Sequence, residues 1–240
     1  PVILQIHPKA LELGGTPLLA LCLTAADQAR VPVSVHLDHS TSRTAIEMSL
    51  EAGLRSVMAD GASLPYHENL RFSTEMSALA HRFGAMIEAE LGQISGTEDD
   101  LVVTEDDARL TDPIQAAEFV AASGIDALAV CIGNVHGHYR GEPRLDFARL
   151  AEIRQRVSVP LVLHGASGLA ASDIRKAISL GVCKFNVNTE LRQAYLEAAS
   201  TAFAAHSRPE LSALMQSIIA AMKQVVVEKL RLFASCGVSA

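Results

Sequence analysis

The chain has 240 residues, 49% of them hydrophobic, and carries 20 Lys and Arg against 27 Asp and Glu, for a formal net charge of −7. That length is enough to bury a sizeable core within one domain, residues 1–240. The acidic balance and the lack of any Lys/Arg cluster exclude an electrostatic grip on nucleic acid, but not a small phosphorylated ligand, because the backbone N–H groups at one helix start can hold a phosphate.

Short apolar runs alternate along the chain with stretches of helical period, the pattern of a buried parallel sheet covered by helices. The predicted strands are 2–6, 33–37, 56–59, 85–91, 127–132, 161–164 and 183–187. Helical periods run over 41–52, 69–82, 114–123, 147–157 and 172–180, and two more, 190–206 and 210–233, follow the last strand. Gly53, Gly84, Gly124 and Gly181 each stand between a helical run and the next strand, where a left-handed residue ends a helix at little cost. Repeated βα units of this kind predict a TIM (β/α)8 barrel. Seven strands do not close one, so a first βα unit of about 25–35 residues is expected to be absent from this chain, upstream of Pro1. Residues 207–240 read as a C-terminal helical extension. Its apolar positions Leu211, Leu214, Ile218, Met222, Val225, Val226 and Leu230 serve either core packing or a homodimer or homotetramer contact.

Cys22, Cys131, Cys183 and Cys236 are widely spaced without a C-x-x-C pair and read as reduced thiols of a cytoplasmic protein. The most apolar stretches, 127–132 and 160–163, fall far short of the roughly 20 residues that span a bilayer. No signal-peptide pattern opens the chain, so no membrane partner is expected.

Polar residues that finish apolar runs mark the mouth of a parallel barrel, where active sites of this architecture lie. VSVHLDHS supplies Asp38 and His39, MADGAS supplies Asp60, IEAELG supplies Glu88 and Glu90, IGNVHGHY supplies His136, and LVLHGASG supplies His164. A single strand-end histidine is most often a hydrogen-bonded structural residue. Three from three strands at one mouth match a catalytic zinc site with one open position. Successive strand residues face opposite ways, so Asp38 and His39 can act together only where the pleat gives way to loop. Alternatively, Asp38 or Ser40 is the N-cap of the helix over 41–52.

HLDHS, MADGAS, EAELGQISGTEDD, IGNVHGHYRGEP, LVLHGASG and KFNVNTE together resemble class II ketose-bisphosphate aldolases, in order and over nearly the whole chain. The likeness is to the branch of fructose-bisphosphate, tagatose-bisphosphate and deoxyketogluconate-phosphate aldolases. It implies that His39, His136 and His164 hold Zn2+, that Asp38 handles the proton at the C4 oxygen, and that Glu98 of the GTEDD loop is a mobile base. It further implies that Asp60 and Glu90 surround the metal and support a second divalent, or a monovalent, cation. Gly137, Gly165, Ala166, Ser167, Asn186, Val187, Asn188 and Thr189 would then hold dihydroxyacetone phosphate. The implied reaction is reversible cleavage of a ketose 1,6-bisphosphate, or a related phosphorylated keto sugar, to dihydroxyacetone phosphate and an aldehyde through a zinc-stabilised enediolate.

Read without the resemblance, GASG is a turn and NVNTE a capping box with Thr189 near the cap. His7 and His138 depart from what the family leads one to expect, and Asn188 is expected to face the aldehyde half of the substrate. His36 either orients a ligand or packs in its strand; His67, His81 and His206 read as surface residues. Segments 93–112 and 133–144 read as long loops that order when substrate and metal bind. A metal-dependent barrel hydrolase and a metal-binding barrel without turnover are the competing readings.

Overall fold

The computed structural model describes residues 1–98, 101–103, 109–137, 139 and 143–235. In chain order the elements are β1 (Val2–Ile6), α1 (Pro8–Asp27), β2 (Val33–Ser40), α2 (Arg43–Glu51), β3 (Ser56–Ala59), α3 (Tyr66–Arg82), β4 (Met86–Leu91), β5 (Ser95–Glu98) and β6 (Leu101–Val103). They continue with α4 (Pro113–Ser123), β7 (Ala127–Val130), β8 (Val135–His136), α5 (Phe147–Arg156), β9 (Leu161–Leu163), α6 (Ala171–Ser179), β10 (Val182–Phe185), α7 (Thr189–Ala205) and α8 (Leu211–Leu232).

Seven strands form one sheet in the order β1-β2-β3-β4-β7-β9-β10, and every pairing in it is parallel. Spatial order follows chain order, with at least one helix between successive strands, which is the winding of a TIM-type barrel. Among the described residues, β1 and β10 are the two ends of this sheet and are not paired with each other.

Side-chain alternation divides the strands between two environments. On β4, Ile87, Ala89 and Leu91 join the core between sheet and helices, while Glu88 and Glu90 point the other way. Met58, Ala129 and Val162 form a small separate apolar cluster contributed by β3, β7 and β9. The helices meet the sheet through residues three or four apart, such as Ile46 and Leu50 of α2, Met76 and Ala80 of α3, and Leu150 and Ile153 of α5. Helix ends follow local chemistry. Asp112 accepts from the N–H groups of Ile114 and Gln115 at the start of α4, and Gly124, at φ 68°, ends it. Gly53, Gly84 and Gly181 also have positive φ, as expected.

Two expectations are corrected. Segments 93–112 and 133–144 carry strands as well as loop: β5 pairs antiparallel with β6 and parallel with β8 in a second, three-stranded sheet. Two helices, α1 and α8, are long and apolar enough to cross a membrane by length and composition, although no single apolar run in the sequence is. α1 breaks at Gly15 (φ 57°) beside Pro17 and buries Leu11 and Leu19 in the core. On α8, Leu214, Met222, Val225, Val226 and Leu230 are partly buried on the same side as Ile218. Ile218 is buried, whereas Leu211 is 70% exposed.

Candidate metal centre

β2 carries the first part of the site. Regular alternation would send Leu37 and His39 to the helix side and His36 and Asp38 to the interior. Leu37 does join the helix-side core. His39 does not follow it, because its φ is +46° and the β2–β3 register shifts between Leu37 and Ser40. A bulge of this kind re-aims one side chain. The strand therefore does not end at the Asp38–His39 pair, as expected, but kinks there and runs on to Ser40. A non-glycine residue in this region stores on the order of 1–3 kcal/mol, tolerated where the surroundings over-determine it. Neither Asp38 nor Ser40 caps the next helix; Ser42 does, accepting from Ala45 N–H at 3.3 Å.

His136 comes from β8 and not from the end of β7. Two side chains tie its segment to the end of β9. Asn134 donates to the carbonyls of Val130 (3.3 Å) and His164 (3.1 Å) and accepts from Ile132 N–H (2.8 Å). Tyr139 Oη accepts from Val135 N–H (3.1 Å) and donates to Gly165 O (3.0 Å). Burial pushes the Tyr139 phenol up to about 12, so it stays a neutral donor. Gly165, at φ +63°, passes so close to Val135 O that a Cβ there would collide with it.

The result is a cluster of three imidazoles. Ring centroids lie 5.1 Å apart for His39 and His136, 4.6 Å for His39 and His164, and 5.9 Å for His136 and His164. His39 Nε2 and His164 Nδ1 are 2.9 Å apart. The outer nitrogens of both rings meet carboxylates. His39 Nδ1 donates to Asp60 Oδ2 at 2.7 Å, and His164 Nε2 donates to Glu88 Oε1 at 2.8 Å. Asp38 lies beside them, accepting from Asn186 Nδ2 at 3.1 and 3.0 Å and standing 3.5 Å from His36 Nε2. Lys184 Nζ donates to Glu88 Oε2 at 2.7 Å and is 4.0 Å from Asp38.

These groups are buried together, and their titration reflects it. Burial alone would raise Asp38, but His39, His36, Lys184 and His164 outweigh it and hold the carboxyl well below the usual range. Asp60 and Glu88 are lowered against burial in the same way, Asp60 by His39 and Glu88 by Lys184 and His164. For Glu90 the balance goes the other way, because burial and the neighbouring acids raise it by more than His39 lowers it. Burial, with Asp60, Glu88 and Asp38 nearby, pushes it well above the ordinary value. His39 is raised well above its own, against burial, by Asp38, Asp60 and Glu90, whereas burial and the neighbouring His39 and His164 bring His136 down to about 3.

The donor set fits a divalent ion. One nitrogen from each of His39, His136 and His164 lies within 4.8 Å of the others. Ligand nitrogens about 2.0–2.1 Å from a tetrahedral zinc would stand about 3.3 Å apart, within reach of small ring rotations from this arrangement. Asp60 and Glu88 behind the rings form carboxylate–histidine pairs that fix ring orientation in zinc sites. Glu90 Oε2 is buried without a hydrogen-bond partner among the described residues, and His39, Asp60 and Glu90 form a second grouping with ligand spacing. A third grouping, His36, Asp38 and Glu88, already has a cation against it in Lys184. A cavity of about 60 Å³ bordered by His39, Asp60, Glu90, Gly96 and His136 opens onto the centre.

The family profile described as Fructose-bisphosphate aldolase class-II matches residues 1–238. The chain belongs to the class II fructose-bisphosphate aldolase family. Members of this family are lyases that act on small phosphorylated sugars and are generally zinc-dependent. The YdjI aldolase of Escherichia coli K12 is 38% identical with a TM-score of 0.86, covering 99% of this chain and 83% of that one. A Coccidioides immitis protein described as a fructose-1,6-bisphosphate aldolase is 32% identical with a TM-score of 0.92 over the same shares. A fructose-bisphosphate aldolase from Campylobacter jejuni, at 20% identity and a TM-score of 0.76, shares the fold over 98% of this chain and 83% of its own.

In this aldolase-family chain the residues expected at the metal, His39, His136, His164, Asp60 and Glu90, come together with Asp38. Gly165, Ala166 and Ser167 follow His164 just after β9, with Ala166 and Ser167 buried. Val187, Asn188 and Thr189 lead into α7, but Asn188 makes no side-chain cap, so NVNTE is not a capping box here. Glu190 instead accepts from Gly168 N–H at 3.0 Å and pairs with Lys229 of α8. Gly137 has φ 86°. Glu98 lies on β5, and its side chain, like His138, falls outside the described residues. His7 caps α1, accepting from Lys9 N–H at 3.3 Å, and His36 is hydrogen-bonded to Ser56 at 2.7 Å, facing Asp38 and not a candidate ligand. His67, His81 and His206 are exposed. Sequence reading missed Lys184, Asn134 and Tyr139. The lysine's signal was a charged residue inside an otherwise apolar strand.

Proposed function

We propose that this protein is a zinc-dependent aldolase that reversibly cleaves a ketose 1,6-bisphosphate, or a related phosphorylated keto sugar, to dihydroxyacetone phosphate and an aldehyde. The observation that supports it most is the three-imidazole cluster in which His39 and His164 are each backed by a carboxylate, with Asp38 alongside. In this reading His39, His136 and His164 hold the ion, and Asp60 and Glu90 border a second cation position. When bound, zinc supplies Lewis-acid stabilisation of the negative charge that develops on the enediolate of dihydroxyacetone phosphate.

The remaining chemistry belongs to the chain. Asp38, held ionised, takes the proton from the C4 hydroxyl during cleavage and returns it during condensation. Asn186 orients Asp38 through its amide N–H, which leaves its buried Oδ1, without a hydrogen-bond partner among the described residues, to accept from a substrate hydroxyl. Gly137, Gly165, Ala166, Ser167, Val187, Asn188 and Thr189 surround the dihydroxyacetone phosphate, the last of these offering N–H groups at the start of α7. Glu98 exchanges the C3 proton.

Zinc-loaded protein incubated with dihydroxyacetone phosphate in deuterated water is expected to exchange one C3 hydrogen, and to condense that substrate with aldehydes from a panel. Exchange that survives chelation of the metal, or no exchange at all, would overturn the assignment. Relative kcat/KM for fructose 1,6-bisphosphate, tagatose 1,6-bisphosphate and deoxyketogluconate phosphate then identifies the sugar.

We further infer one barrel domain with residues 207–240 as a C-terminal extension, helical over Leu211–Leu232 and with 236–240 outside the described residues, assembled as a homodimer or homotetramer. Leu211, Met215 and Ile219 recur every four residues on the outer side of α8, with Ile219 59% exposed, and α7 adds Leu196 and Phe203. An apolar stripe of this kind marks a contact surface. Sedimentation should give a dimeric or tetrameric mass that falls to the monomer with Met215→Glu and Ile219→Glu combined; a monomeric parent protein would exclude the assembly. The free thiols of Cys22, Cys131 and Cys183 support a reducing, cytoplasmic setting.

A further inference from the structure

Behind His164 lies a buried ion pair that the proposed chemistry does not use. Glu88 of β4 accepts from His164 Nε2 through Oε1 at 2.8 Å and from Lys184 Nζ through Oε2 at 2.7 Å. Both side chains are sequestered, Glu88 at 4% and Lys184 at 13% exposure. A charged carboxylate so deep in the fold needs a partner of opposite sign, and Lys184 is the only permanent cation with a described contact to it.

A second carboxylate competes for the same ring. Glu90 Oε2 stands 3.5 Å from His164 Nδ1 on the other side of the imidazole and has no hydrogen-bond partner among the described residues. A neutral imidazole carries one ring hydrogen, and the stronger acceptor fixes where it resides. If Glu88 holds that hydrogen on Nε2, the lone pair of Nδ1 faces His39 Nε2, 2.9 Å away, and is free to bind an ion. If Glu90 takes it on Nδ1, His164 leaves the ligand set. Of the two acids, Glu88 is the one within hydrogen-bond distance of the ring, at 2.8 Å against 3.5 Å for Glu90, and it is the one held in place by Lys184.

We propose that Lys184 is a positioning residue for the metal centre. By anchoring Glu88 through Oε2, it keeps Oε1 on the Nε2 side of His164 and so selects the ring form whose Nδ1 faces the ion. Outer-shell partners of zinc-bound histidines act in this way, and their loss typically weakens metal affinity about 10–100-fold.

The inference rests on His164 being a ligand, so zinc affinity by chelator competition is measured first on the parent protein and on His164→Ala. Equal affinities there overturn the ligand assignment, and this inference with it. Given a loss in His164→Ala, Lys184→Met and Glu88→Gln are each expected to weaken zinc binding about 10–100-fold. The double variant should bind as Glu88→Gln does, because the lysine acts only through the glutamate. Parent-like affinity in Lys184→Met, or a double variant that differs from Glu88→Gln by more than about threefold, refutes the role of Lys184 while leaving the ligand set intact. If Lys184→Met alone does not fold, the comparison of Glu88→Gln with the charge-neutral double variant decides the matter by the same criterion.

Discussion

Replacing Asp38 by alanine is expected to lower kcat for cleavage by about 10²–10⁴-fold, the usual contribution of a positioned acid–base group, while zinc content stays at the parent level. Asp38 belongs to none of the nitrogen ligands; it stands beside them, with its two oxygens accepting from Asn186 at 3.1 and 3.0 Å. Because its carboxyl is held well below the ordinary range by His39, His36, Lys184 and His164 against burial, it is ionised across neutral pH. It therefore waits as an acceptor and is neutral only while it carries the substrate's proton. Turnover kinetics and metal analysis on one preparation check this. Parallel loss of activity and zinc would make Asp38 a structural carboxylate instead.

His164→Ala is expected to weaken zinc binding by more than the roughly 10–100-fold associated with an outer-shell partner, since it removes a ligand and not the support of one. It is also the ring through which three parts of the site communicate. Nδ1 faces His39, Nε2 meets Glu88, and the backbone carbonyl receives Asn134 from the His136 segment. Glu88 keeps Lys184 as a partner after the substitution, so the fold should survive, which near-UV circular dichroism would verify. Unchanged metal stoichiometry and affinity would remove His164 from the ligand set.

Much of this centre was legible in one dimension. The runs that became β3 and β4, the helical periods of α3 through α6, and the glycines between them are local patterns, because strand alternation and helical repeat act over a few residues. Polar residues closing apolar runs pointed to His39, Asp60, Glu90 and His164 for the same reason. His136 was found by its motif and misplaced by its element. It belongs to a small sheet whose pairing of Ser95 with Val135 and Gly96 with His136 no local period announces.

Which strand-end residues would have partners was a different matter. Amino-acid order determined the succession of βα units and the supply of chemically suitable side chains, since both follow from short-range periodicity and residue type. Only the tertiary structure decided that Lys184 meets Glu88 across 96 residues, that His39 meets His164 across 125, and that Asn186 reaches Asp38 across 148. Those pairings depend on strand register and on the left-handed turn of His39, which swings a ring from the outside of the sheet to its interior. A register shift of one residue reverses the face a side chain occupies, and that choice is settled by packing across the whole sheet.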